Sequence, residues 1–177
     1  MKNHQGGSGH LLGWCVALFS LFVACTVPGW QEFRSEDDRF LALFPREPTK
    51  RVETANTPQG PLRNHIYSVS EGQSTFSIAV ARFRTDHVKA VGQTAVLDGA
   101  RDGAVLNTLG KLLSELLIEL DGYPGREIKI SVAGGKVTIQ GRMFLVRNRL
   151  YQVLVGTPVD DSYEPAVSRF LDSFRLL

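Results

Sequence analysis

The chain has 177 residues, of which 43% are hydrophobic and 21% charged, and its formal net charge is +2. That length suits one domain, that balance excludes a wholly disordered chain, and so small a cationic surplus is not the footprint of a nucleic-acid binder. Two cysteines exclude a disulfide framework and a cysteine-rich zinc site.

The chain opens with a segment that reads as an export signal. Residues 1–10 hold one lysine, Lys2, and no acid, and Leu11 to Ala24 are 14 residues without a charge. A secretory apolar core runs about 7–15 residues and a spanning helix about 20, so the cleavable reading fits the length better. An uncleaved anchor stays open, because the apolar stretch extends to Val27. Phe22-Val23-Ala24-Cys25 resembles a bacterial lipobox, with Phe22 where leucine is usual, which makes Cys25 the expected lipid attachment site. Cys15 sits in mid-run as apolar filler. The expected organisation is a signal peptide over 1–24, a short tether over 25–29 and a folded domain over 30–177.

Beyond the tether, Phe40, Leu41, Leu43 and Phe44 predict a short strand closed by Pro45. Pro45, Pro48, Pro58 and Pro61 punctuate the next stretch, with room for a strand over 50–54. Alternation predicts strands over 62–69 and 75–83, joined through Glu71-Gly72-Gln73-Ser74 as a hairpin. The period then changes. Val91, Ala95, Val96, Gly99 and Gly103 line one side of a predicted helix over 91–106, with Gln93, Asp98, Arg101 and Asp102 pointing away. The two glycines weaken that helix by about 1 kcal/mol each relative to alanine, unless they serve a close approach to a sheet.

Residues 111–120 fit two periods. Leu112, Leu113, Leu116, Leu117 and Leu120 form a helical stripe, yet Leu112, Leu116, Ile118 and Leu120 also share a strand face. Periodicity favours the helix. After it come predicted strands over 127–132, 136–146 and 150–155, a three-stranded meander turning at Gly134-Gly135 and Arg147-Asn148. A last helix opens near 160–163, with Ser162 as candidate cap and Val167, Phe170, Leu171 and Phe174 as its buried stripe.

Several segments resemble the PsbP-like domain of small bacterial exported proteins and lipoproteins, including the DcrB-like type. They are Asp38-Arg39-Phe40 leading to Phe44-Pro45, Gly122-Tyr123-Pro124-Gly125-Arg126-Glu127, Asn148-Arg149-Leu150-Tyr151, and Arg169 through Phe174. The resemblance spans about residues 30–177 and implies an α+β fold: an antiparallel sheet flanked by helices on both faces, a three-layer sandwich. It also makes 111–120 a strand, and that assignment is adopted. It carries no function with it, since one fold serves many roles.

The chemistry is sparse. His65 and His87 stand apart, without a third ligand at metal spacing, so no metal site is assigned. There is no Gly-x-Ser-x-Gly elbow, and Gly134-Gly135-Lys136 lacks the spacing of a phosphate loop. Glu36-Asp37-Asp38 and Asp160-Asp161 read first as solvated turns and a helix N-terminus, with calcium as the other reading. The most distinctive group is Tyr123, Arg126 and Glu127 around Pro124-Gly125, the candidate site for an anionic or peptide ligand. The other reading makes Pro124-Gly125 a type II turn and pairs Arg126 with a nearby carboxylate. Arg142, Arg147 and Arg149 gather near a hairpin tip. The expected function is therefore a non-enzymatic binding or accessory module of the cell envelope. It would be exported, anchored at a membrane, without cofactor, and partnered by an unknown protein or envelope component rather than nucleic acid. A calcium- or manganese-binding accessory factor and a hydrolase built around Glu127 are the alternatives.

Overall fold

A computed structural model describes residues 29–57, 60–159 and 164–177. The expected signal segment, Cys25, most of the tether and the residues around Ser162 lie outside them. Strands β1 (Gln31–Ser35), β2 (Phe40–Phe44), β3 (Thr49–Thr57), β4 (Gly60–Glu71) and β5 (Ser74–Arg82) come first. Helices α1 (Thr85–Val91) and α2 (Gln93–Asn107) follow, then β6 (Lys111–Leu120), β7 (Tyr123–Val132), β8 (Val137–Val146) and β9 (Arg149–Pro158). Helix α3 (Glu164–Ser173) and the short β10 (Arg175–Leu176) end the chain. The fold is mixed α+β, mostly sheet, with every strand pairing antiparallel.

Seven strands form one sheet in the order β3-β4-β5-β9-β8-β7-β6. A second, three-stranded sheet, β1-β2-β10, is not anticipated by the sequence reading. Gln31–Ser35 escapes notice because its polar residues mask its alternation, and only Ser35 is buried.

Strand alternation divides the interior in two. Along β8, Phe144 joins one apolar cluster while Met143 and Leu145 join the other. Along β9, Tyr151, Val153 and Val155 go to the first and Leu150 to the second. The first cluster takes in Phe40, Ala42 and Phe44 of β2 and Val167, Phe170 and Leu171 of α3. It is rich in rings: Phe44 meets Phe170 edge-on at 5.0 Å, and Phe174 stacks on Phe144 at 6.0 Å and on Phe40 at 5.8 Å. The second cluster takes in Val88 of α1 and Val96 and Leu97 of α2.

Residues 111–120 are strand throughout, with a register shift between Leu112 and Ser114. Leu113 is the extra residue of that bulge. It flips the alternation, so Leu112 faces the second cluster whereas Ile118 and Leu120 face the first. The change of phase mimics a helical stripe. As the sheet's edge strand, β6 also leaves Leu116 and Leu117 exposed.

The predicted helix over 91–106 forms as α2, and the sequence reading misses the short α1 before it, the two being separated at Gly92 with φ 85°. The glycines of α2 do not bring it close to the sheet. A Cβ at Gly99 or Gly103 meets nothing within 4 Å. By contrast a Cβ at Gly125 falls 2.5 Å from the Met143 carbonyl and 2.6 Å from the Phe144 ring. Gly99→Ala and Gly103→Ala are therefore expected to raise stability by about 0.5–1 kcal/mol each. Gly125→Ala is expected to lower it by about 1–3 kcal/mol. Urea unfolding of the three variants checks the opposite signs.

Candidate functional site

The three residues singled out from the sequence part company. The tight turn is Asp121-Gly122, both at positive φ, closing the pair Leu120 and Tyr123. That is the two-residue hairpin geometry that Asp-Gly favours. Pro124 and Gly125 lie within β7, paired with Glu119 and Ile118, so the type II turn is corrected to regular strand. Adjacent strand residues face opposite ways, and Arg126 and Glu127 do so.

Arg126 is buried and turns towards α2. Its Nη2 donates to Asp98 Oδ1 at 3.2 Å, and its Nε lies 2.9 Å from Glu115 Oε1. The second contact is an ion pair whose angle falls short of hydrogen-bond geometry. Arg101 closes the network, donating from Nη1 to Glu115 Oε2 at 2.8 Å and from Nε to Asp102 at 2.8 Å. Asp98 and Arg101, expected to point away, thus tie α2 to β6 and β7. The carboxylates of Asp102 and Glu115 hold the Arg101 guanidinium above its ordinary range, and Arg101 in turn lowers Asp102.

Glu127 accepts from Arg142 Nε at 2.7 Å, and Arg142 Nη1 donates to Asp172 of α3 at 2.7 Å. Tyr123, about 13 Å along the strand from Glu127 at ordinary rise, lines a separate cavity with Arg39, Arg147 and Arg149. Arg142 is thereby separated from the other two arginines of the expected basic group. The acidic run disperses too. Glu36 pairs with Arg34, Asp37 with Lys50, and Asp38 with His65. Among the described residues no group of three or more His, Cys, Asp or Glu stands within metal-holding reach.

A feature assembled from distant segments is the groove between α1–α2 and the sheet, about 590 Å³ in volume. Its helix wall is Val91, Ala95, Val96, Gly99, Ala100 and Gly103. These include the whole side on which the sequence placed the small residues. Its floor comes from three adjacent strands, with Leu62 and Asn64 on β4, Ala81 on β5, and Leu150 and Gln152 on β9. His87 stands at the rim, its ring stacked on Phe83 at 5.8 Å. Helical spacing showed the wall in advance. The floor was hidden, because residues 62 to 152 meet only through the strand order. Asn64 and Gln152 are half-buried, and neither amide has a hydrogen-bond partner among the described residues. An apolar trough with two unspent amides has the chemistry to hold an apolar group by contact and to orient it by hydrogen bonds.

No family model matches the chain, and no curated protein matches it. The solution structure of the cyanobacterial PsbP protein CyanoP from Synechocystis sp. PCC 6803 is similar, with a TM-score of 0.61 at 14% identity. That comparison covers 94% of this chain and 99% of the other. PA94 from Pseudomonas aeruginosa, a protein of unknown function, aligns with a TM-score of 0.40 at 14% identity, over 78% of this chain and 90% of its own. The likeness to CyanoP shows the fold alone: it is PsbP-like.

The network around Arg126 is expected to be structural. Glu115→Gln removes the carboxylate charge shared by two guanidinium groups, one of them buried, and should lower stability by about 3 kcal/mol. Asp102→Asn, which breaks an exposed and solvent-screened pair, should lower it far less. Chemical unfolding separates the two.

Proposed function

We propose that this chain is exported, held at a membrane surface through Cys25, and works there as a binding rather than a catalytic module. The PsbP-like body is of the DcrB-like type in this reading. Its layers form an α/β/α sandwich, a reading supported by the separate apolar clusters of α3 and of α1–α2. The ligand seat is the groove under α2, and the ligand is an apolar molecule or side-chain group with one polar end.

The observation that carries this is the placement of Gly99 and Gly103. Each weakens α2, and neither is required by a close contact, since the space beside it is empty to 4 Å. Both face the groove, where any side chain would narrow it. Selection for stability alone removes such glycines; selection for an open trough keeps them. The leader supports the location, with an uncharged run of 14 residues ending at Ala24-Cys25.

Two measurements test the reading. In full-length chain kept in nonionic detergent, the uncharged dye Nile red should bind the native protein, and Gly99→Leu with Gly103→Leu should abolish that binding while the fold persists. Equal binding by the variant removes the groove as the seat. In cells, labelled palmitate should enter the wild type and not Cys25→Ser. Absence of label together with soluble fractionation removes the anchor.

A further inference from the structure

On the opposite face of β4 and β5 from the groove lies a second cavity of about 510 Å³, bordered by Asp37, Asp38, Arg63, His65 and Arg82. Its most buried polar member is Asp38, 4% exposed. Asp38 Oδ2 accepts from Tyr67 Oη at 2.7 Å and from His65 Nδ1 at 2.8 Å. Tyr67 Oη in turn lies 2.9 Å from Ser35 Oγ, and burial pushes the phenol up, keeping its proton on. The backbone of Asp38 is fixed as well, its carbonyl accepting from Tyr151 Oη at 2.8 Å and Arg149 Nη1 at 3.2 Å. The imidazole of His65 is thus held by a buried, fully braced carboxylate. Its Nε2 has no partner among the described residues, and it donates when the ring is protonated.

Around this ring the charges do not balance. Asn64 pairs with Ala81, which places Arg63 and Arg82 at neighbouring positions one step on, and Arg82 pairs with Arg149. Three arginines therefore stand in a row across three adjacent strands, an arrangement that costs stability when nothing intervenes. Neither Arg63 nor Arg82 has an ion pair among the described residues. The two carboxylates at the cavity are already engaged, Asp37 with Lys50 at 3.6 Å and Asp38 with the ring and Tyr67. With Asp37 paired to Lys50, the cavity sets the single carboxylate of Asp38 against Arg63 and Arg82, and the balance facing it is positive.

We propose that this cavity is an anion site that takes a phosphate monoester group between Arg63, His65 and Arg82. A tetrahedral dianion offers separate oxygens to three donors, and guanidinium forks fit it in pairs of hydrogen bonds. The group relieves the repulsion along the arginine row. It is carried either by a soluble phosphate or by a lipid headgroup, and the chemistry at the site is the same.

The test uses full-length protein in uncharged detergent with isotope-labelled histidine, the His65 resonances being identified by their loss in His65→Gln. One arm titrates inorganic phosphate; the other compares mixed micelles of phosphatidic acid with micelles of phosphatidylcholine. A saturable shift of His65, with His87 unmoved, is expected in the phosphate arm, in the phosphatidic acid arm, or in both. Which arm responds identifies the source. Arg63→Gln and Arg82→Gln, both at exposed positions, should each weaken the response roughly tenfold with circular dichroism unchanged. No shift of His65 in either arm, or an undiminished response in the double variant, overturns the proposal.

Discussion

One sheet has to serve two interiors at once, and the rest of the structure follows from that constraint. In β8 and β9 the apolar residues are shared between the two clusters, Phe144, Tyr151, Val153 and Val155 entering one and Ile139, Met143, Leu145, Leu150 and Leu154 the other. Gly125 and Gly141 sit where a neighbouring strand presses against the Cα: a Cβ on either meets the facing backbone carbonyl and a bulky ring or leucine. Large side chains such as Phe144 and Leu154 occupy the room that these glycines give up. Packing at this density leaves little slack inside, so functional space has to open at the rims of the sheet.

Much of this architecture is legible in the sequence, and the parts that are not fail for identifiable reasons. The period-two runs of β4, β5, β8 and β9 state both their conformation and their two-faced burial. The final helix announces itself through Val167, Phe170 and Leu171. The sequence misleads where one residue changes the phase: Leu113, bulged out of register, makes a strand look helical, and only the family resemblance argued otherwise. Pro124-Gly125 misleads in a different way. That dipeptide ordinarily signals a turn, but the adjacent Asp121-Gly122 already makes the turn, and the proline sits where pairing with β6 begins. Distance along the chain hides the rest. Asp38 and His65 are 27 residues apart, and Arg126 and Asp98 are 28 apart, so neither pair has a local signature.

The ionic groups sort by the same logic. Arg126 is buried, and it is met by two carboxylates from two different elements, with Arg101 completing the square. Arg142 bridges Glu127 and Asp172, joining the sheet to α3. These arginines act as cross-members between layers, and their charge is spent. Arg63 and Arg82 make no such bridge: neither has an ion pair among the described residues. They stand beside each other at the end of the β4–β5 pairing, bordering a cavity whose carboxylates are engaged with other partners, Asp37 with Lys50 and Asp38 with His65 and Tyr67. Two neighbouring guanidinium groups repel each other, and in the proposed anion site an arriving phosphate group offsets that cost.

The two proposed seats are back to back on the same short stretch of β4 and β5. Asn64 and Ala81 floor the apolar groove, while Arg63, His65 and Arg82 border the anion cavity. This follows from alternation alone, since consecutive residues of one strand must look opposite ways. It also means that the two seats share backbone and share no side chain among those lining them. β4 is hydrogen-bonded on both sides, to β3 and to β5, so the shared backbone is the stiff part of each site. Ligands on the two faces therefore act through separate contacts, with the ladder between them holding both geometries fixed. A small sheet can carry two unrelated recognition tasks in this way without either compromising the other, provided each site stays at the end of the strands where the interiors no longer need every side chain.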